Sequence, residues 1–157
     1  LNQFFQIIFQ NPNFSLDSHS AVGKSIEEDL IIYEVLIRDF DADRTFQNLI
    51  DNAIKYGNSK SEINIVIEKI ARIPDLNHPG VSISIINQGE GIAPEHIPRL
   101  TERFYRVDKG RSRTTGGTGL GLAIVKHIVN RHRGKLVIES LQEKTMKFTV
   151  FLPHINQ

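Results

Sequence analysis

Asn48, Asn52, Lys55 and Tyr56 stand at i, i+4, i+7 and i+8, the spacing that brings side chains onto one face of an α-helix. Two amides, an ammonium and a phenol on one face suit a metal-bound polyphosphate. The Asn52 oxygen is a hard neutral donor of the kind Mg²⁺ takes beside water and phosphate, and Lys55 can neutralise phosphate oxygens as a point charge. Alone, the same four residues also describe an ordinary solvated helix face. A second segment, Asn87-Gln88-Gly89-Glu90-Gly91-Ile92, directly follows an apolar run. Its glycines let the backbone approach a flat ligand, and a polar side chain at a strand end can read the edge of a base. A plain glycine turn has the same composition. A third segment, Gly116-Gly117-Thr118-Gly119-Leu120-Gly121-Leu122, opens into a helical pattern. Backbone N–H groups at a helix start, uncovered by side chains, bind anions. The leucines set between these glycines favour that reading over a flexible linker.

Other chemistries are missing from the sequence. No Gly-Lys-Ser/Thr follows the third segment, and no dinucleotide fingerprint is complete in its strand–turn–helix context. The histidines at 19, 78, 96, 127, 132 and 154 lack close metal-ligand spacing and are expected at the surface or in supporting positions. No nucleophile elbow and no carboxylate pair stands out. The chain has no Cys, which removes disulfides, thiolate zinc sites and cysteine nucleophiles together. Nineteen Lys and Arg against eighteen Asp and Glu leave a net charge of +1, so no global field draws the chain to nucleic acid or to an anionic membrane. Its longest apolar runs fall far short of the roughly 20 residues of a spanning helix. At 157 residues the chain is one ordinary domain, and its start at Leu1 reads as a piece of a longer protein.

The elements that must position these residues follow from periodicity. Leu1 to Phe9 is apolar on most sides and reads as a helix. Asn11 to Gly23 is polar and reads as a loop, and Leu30 to Leu36 is β-branched and reads as a strand. Asp41 or Asp43 can cap a helix carrying Phe46, Leu49, Ile50, Ala53 and Ile54 on its apolar face, with Gly57 as its stop. Strands are expected over 62–70 and 81–86, joined through the Pro74–Gly80 turn. From Gly89 to Gly121, glycines interleaved with arginines suggest a long, mobile excursion of the kind that forms lids. Leu120 to His132 reads as a helix, and Lys135–Ser140 with Met146–Leu152 as a hairpin. Mixed helices and strands with adjacent hairpins predict an α+β fold, a two-layer α/β sandwich.

In this order the segments resemble the ATP-binding catalytic domain of bacterial sensor histidine kinases, most of all the phosphate-regulon type. Asn48–Tyr56 (NLIDNAIKY) is similar to that family's asparagine box, Asn87–Ile92 (NQGEGI) to its first glycine box, Glu102–Asp108 (ERFYRVD) to its aromatic lid box and Gly116–Leu122 (GGTGLGL) to its second glycine box. The resemblance covers about residues 30 to 152. It implies a Bergerat-type fold with a mixed sheet, helices on one face and a mobile lid. Residues 30–157 would form the catalytic domain, and 1–29 an N-terminal helix and irregular segment of the same domain.

The resemblance also implies roles. Asn52 would hold Mg²⁺, with Asn48 beside the phosphates of ATP, Lys55 on them and Tyr56 flanking the base or ribose. Asn87 would face the adenine amino group, while Gly89, Gly91 and Ile92 shape the base pocket. Arg106 would reach the γ-phosphate, and Phe104 and Tyr105 would dock the lid on a partner domain. Gly117, Thr118, Gly119, Leu120 and Gly121 would wrap the triphosphate. Catalysis would rest on Asn48, Lys55 and Arg106. The implied partners are a dimerisation and phosphoacceptor domain and a response regulator, with no nucleic acid and no direct membrane contact, on the cytoplasmic side.

Hydrolysing ATPases that resemble this domain carry a glutamate where Asn48 stands, and an amide is no general base near neutral pH. That position favours transfer to a histidine over hydrolysis. An ATP-hydrolysing clamp and a degenerate regulatory binder are the alternatives. The chain departs from the family pattern in three places. Asn87 replaces the glycine-box aspartate, Leu141–Phe148 (LQEKTMKF) lacks the usual hairpin glycines, and no histidine has the acceptor context of an acidic neighbour and a nearby proline.

Overall fold

Asp41 accepts a hydrogen bond from the Arg44 backbone N–H at 3.0 Å and so caps the helix that carries the first cluster. The computed structural model describes residues 40–58, 61–107, 117–141 and 144–154, together with the backbone of residues 5–9. The helix, α1 (Ala42–Tyr56), buries Phe46, Leu49, Ile50 and Ala53 and places Lys55 in its last turn, where a cation complements the helix dipole. It stops at Gly57, as its sequence predicts, but not by a left-handed cap. Gly57 is extended, with φ −75°, and a Cβ there would stand 2.4 Å from the Ala53 carbonyl oxygen. Room, not backbone freedom, demands this glycine.

Four antiparallel strands form the body of the sheet. They are β2 (Ile63–Ile70), β3 (Gly80–Gln88), β4 (Lys135–Leu141) and β5 (Thr145–Pro153). Including β1 (Phe5–Phe9), the order is β1-β2-β3-β5-β4, with β1 parallel to β2 from Phe5 opposite Ile63 to Phe9 opposite Ile67. The helix expected over Leu1–Phe9 is therefore corrected to a strand over its described part. Ile7 and Ile8 are β-branched, the flanking phenylalanines also favour strands, and the free edge of β2 supplies backbone partners that a short helix could not match. The apolar blur that suggested a helix is equally the pattern of a short buried strand.

Alternation in β2, β3 and β5 sends Ile63, Ile65, Ile67, Val81, Ile83, Ile85, Phe148, Val150 and Leu152 into one core. There α1 and a second helix, α2 (Gly121–Arg131), cover the same face of the sheet, α2 contributing Val125 and Val129. Each fully buried side chain of this size stabilises the fold by roughly 1.5–3 kcal/mol. The two-layer α+β architecture with a mixed sheet is thus as the sequence predicts. Among the described residues no helix is long and apolar enough to cross a membrane.

The described part of the expected excursion is built from turns. Between Gly89 and Val107 the chain runs through hydrogen-bonded turns, His96 N–H to Ala93, Arg99 N–H to His96 and Glu102 N–H to Arg99, all at 2.9–3.0 Å, with one short 3₁₀ turn over Ile97–Arg99. Local i to i+3 bonds satisfy a polar backbone that sequence composition alone presents as loop. Residues 108–116 lie outside the described residues, as do the expected loop over 11–23 and strand over 30–36.

Candidate functional site

The polar face of α1 meets the start of α2. Asn48 donates through Nδ2 to the Arg44 carbonyl at 2.7 Å, which fixes the amide with its oxygen outward. That oxygen points at Gly121, where a Cβ would lie only 2.9 Å from it. About two turns later Lys55 reaches the same segment, its Nζ 2.4 Å from where a Cβ on Gly117 would stand, with the Tyr56 hydroxyl 3.4 Å from that point. Asn52 lies between them on the helix, half-buried. The α2 N-terminus carries no side-chain cap and no acidic residue in its first turn. Leu120 therefore gives its first N–H groups no side-chain partner, and the positive end of the helix dipole lies at this turn.

Charge sharpens this picture. Burial holds the Lys55 ammonium below the usual lysine range, and the Arg106 guanidinium nearby lowers it further. The two cations stand close enough that each makes the other's charge more costly. Gly119 has a left-handed backbone, φ +70°, and its carbonyl accepts from the Phe104 N–H at 2.9 Å. A Cβ on Gly119 would come within 2.9 Å of the Phe104 Cα. The segment bearing Phe104, Tyr105 and Arg106 is thereby laid against the second glycine segment. Thr118 is exposed and Leu120 half-buried at the same turn.

A second cluster of the sequence-predicted residues lies at the end of β3. Asn87 is 3% exposed, and among the described residues nothing donates to its buried Oδ1. Buried acceptors without a partner are rare in folded proteins and call for a donor such as a water or a ligand. The surrounding backbone is tightly tied. Gly57 pairs with Gly89 in an isolated antiparallel bridge, Asn58 N–H donates to the Gln88 carbonyl at 2.8 Å and Gly89 N–H to the Lys144 carbonyl at 3.0 Å. Gly91 has φ +74° and packs on the Lys144 side chain, and Ile92 N–H donates to Ser140 Oγ at 3.3 Å. Tyr56 remains exposed at the end of α1.

All the sequence-predicted site residues that are described fall into these two places, and Arg106 joins them through Lys55. Phe104 stands out into solvent, 70% exposed, with φ +64°. Tyr105 does not share that exposure. Its hydroxyl lies 2.6 Å from His96 Nδ1, and the Arg99 guanidinium covers its ring at 4.2 Å. His96, Arg99, Ser140 and Lys144 were not singled out by sequence reasoning as site residues. His96 and Arg99 flank Pro98, which marks the short turn, whereas Lys144 and Ser140 act through a hairpin turn with no glycine signal.

Comparisons with known proteins identify the family and the fold. A family model described as histidine kinase-, DNA gyrase B- and HSP90-like ATPase matches residues 39–156. The phosphate regulon sensor protein PhoR of Pseudomonas aeruginosa is 48% identical over 104 residues, 66% of this chain and 22% of that protein. The sensor-like histidine kinase SenX3 of Mycolicibacterium smegmatis is 41% identical over 106 residues, 68% of this chain and 26% of that protein. The chain thus spans about a quarter or less of the length of these curated relatives. Among solved structures, a mycobacterial sensor histidine kinase, MprB, superposes with a TM-score of 0.58 at 28% identity, covering 71% of this chain and 69% of that one. A nucleotide-free catalytic domain of the histidine kinase ThkA gives 0.58 at 25% identity over 85% of this chain and 94% of that one.

Proposed function

Because the chain belongs to the histidine kinase-, DNA gyrase B- and HSP90-like ATPase family, we propose that residues 30–157 form the ATP-binding catalytic domain of a two-component sensor histidine kinase of the phosphate-sensing type. Residues 1–29 are read as part of the same domain, a reading supported by β1 within the sheet. The reaction is transfer of the ATP γ-phosphoryl to a histidine on a dimerisation domain outside this chain, from which a response regulator takes it. The domain works on the cytoplasmic side.

The observation that carries this reading is the meeting of the α1 polar face with the uncapped start of α2, Asn48 Oδ1 at Gly121 and Lys55 Nζ at Gly117. The neutral amide oxygens of Asn52 and Asn48, set beside a phosphate cradle, fit a divalent cation that takes its other ligands from phosphate and water. Asn52 would hold Mg²⁺, which when bound neutralises phosphate charge and helps to orient the transferring group. Lys55 and the Gly117–Gly121 N–H groups bind and orient the triphosphate, and Arg106 stabilises charge on the moving group. The Asn48 amide cannot remove a proton from water, and its nitrogen is already committed to the Arg44 carbonyl. The site therefore leaves the nucleophile to be supplied by another domain. At the far end, Asn87 reads the base in a pocket shaped by Gly89, Gly91 and Ile92, with Tyr56 alongside.

The test is transfer in trans. The chain is mixed with γ-labelled ATP, Mg²⁺ and the separate helical phosphoacceptor domain of a phosphate regulon sensor. Acid-labile, alkali-stable label on the acceptor, with little free phosphate, is the expected result. Free phosphate released equally with and without acceptor would favour the hydrolysing clamp, and nucleotide binding with neither product would favour a regulatory binder.

A further inference from the structure

We infer that the base pocket accepts 6-oxopurine nucleotides nearly as well as adenine nucleotides, because its buried reader is the self-complementary amide of Asn87. This inference rests on the nucleotide reading given above and concerns only which bases that site admits. Asn87 is 3% exposed, and no donor among the described residues reaches its Oδ1. A Cβ on Gly57 would stand 3.5 Å from its amide nitrogen, and one on Gly89 3.8 Å away. The side chain is therefore enclosed by two glycines at the strand end, with nothing among the described residues to hold its oxygen in one direction.

An amide has one accepting end and one donating end of nearly equal size, and turning it by half a rotation exchanges them. With its oxygen presented, Asn87 accepts from an exocyclic amino group, as adenine offers. With its nitrogen presented, it donates to a ring carbonyl at the same position, as hypoxanthine and guanine offer. A carboxylate could only accept, and it would repel a carbonyl placed there. The pocket leaves the amide free to choose, since its fixed contacts are backbone and glycine rather than a committed hydrogen-bond partner. Discrimination by a site built to hydrogen-bond one group is strong because the wrong ligand leaves a buried group unpaired. Here both ligands pair it.

Calorimetric titration of the unaltered chain with ATP, inosine triphosphate and a 6-unsubstituted purine riboside triphosphate tests this directly. Inosine triphosphate isolates the 6-position, since it lacks the 2-amino group of guanine. ATP and inosine triphosphate are expected to bind within about tenfold of each other, with the unsubstituted purine weaker than both by about threefold to tenfold, the equivalent of one neutral hydrogen bond. In Asn87→Asp, ATP should tighten several-fold and inosine triphosphate weaken by at least about tenfold. An ATP preference of about a hundredfold or more in the unaltered chain overturns the inference while leaving the nucleotide reading intact. So does an unchanged ATP-to-inosine ratio in a folded Asp variant. Binding of no triphosphate by a folded chain overturns both. The unaltered chain keeps the inference open to refutation even if a buried carboxylate prevents the variant from folding.

Discussion

Gly89 in one glycine segment and Gly117 and Gly121 in the other use the same residue for opposite reasons. At the end of β3, a Cβ on Gly89 would lie 2.5 Å from the Tyr56 carbonyl oxygen. The space is already filled by backbone, so this glycine lets α1 and β3 pair. Before α2, a Cβ on Gly117 would meet the tip of Lys55 and one on Gly121 the oxygen of Asn48. There the space is taken by the polar ends of side chains from α1. In the proposed function the first segment is a pocket whose reader is one buried amide, and the second a cradle whose readers are backbone N–H groups and two cations. Glycine content alone does not distinguish a structural site from a functional one. What stands in the place of the missing Cβ does.

The largest expected effect separates chemistry from fold. Asn52→Ala should reduce phosphotransfer by about 100-fold or more, the scale at which a group stabilising developing charge is removed. Its stability should change by only about 0.5 kcal/mol, since Asn52 sits on the polar face. Transfer and chemical melts measured on the same preparation check both halves, and undiminished transfer would remove Asn52 from the site.

A pair of alanine substitutions tests the comparison itself. Gly89→Ala should cost about 1–3 kcal/mol of stability, because rigid backbone must move. Gly117→Ala displaces the flexible end of Lys55, with the Tyr56 hydroxyl at ordinary contact distance, and should cost about 0.5 kcal/mol or less, while raising the KM for ATP by displacing the ammonium. Urea midpoints and nucleotide titrations of the two variants decide it. Equal destabilisation would mean that the cradle is as rigid as the pocket.

How much of this was legible in the sequence differs between the two regions for a physical reason. The α1 face, β2, β3, β5 and α2 follow from periodicity, because burial enforces it at Phe46, Leu49, Ile65, Ile85 and Val125. The helix face and the two glycine segments supplied the candidate site residues by local spacing, and the roles proposed for them came from the family resemblance. What spacing could not supply was the fit between distant segments. Nothing in Lys144 or Ser140 announces that they close the Asn87 pocket, and nothing in Phe5–Phe9 says that the β2 edge is waiting for it. The turns between Gly89 and Val107 were hidden because their order comes from i to i+3 backbone bonds, to which composition is nearly blind.

A pH series adds a smaller effect. Burial and Arg106 lower the Lys55 pKa, so in the absence of an anion the ammonium loses its proton at a lower pH than an ordinary lysine. A bound triphosphate favours the charged form. Affinity for ATP should therefore be greatest below the Lys55 pKa and fall as pH rises through it, beginning earlier than an ordinary lysine allows. Lys55→Arg, which stays charged throughout, should flatten that alkaline decline in titrations. A decline of the same shape in the variant would assign it to another group.

The smallest effect concerns the foot of the lid. Tyr105→Phe removes the hydroxyl that meets His96 and should cost about 0.5–1.5 kcal/mol. The ring remains beneath Arg99, so nucleotide affinity should scarcely move. A large loss of affinity with little change in stability would show that Tyr105 touches the ligand instead.

Amide hydrogen exchange with adenosine and with ATP plus Mg²⁺ tests the division between pocket and cradle most directly. Adenosine carries the base without phosphates, so it should slow exchange over 87–92 and leave 117–124 unchanged. ATP should slow both, most of all the N–H groups at the start of α2. Protection of both segments by adenosine, or of neither segment by ATP, would contradict the assignment of base to one and phosphate to the other.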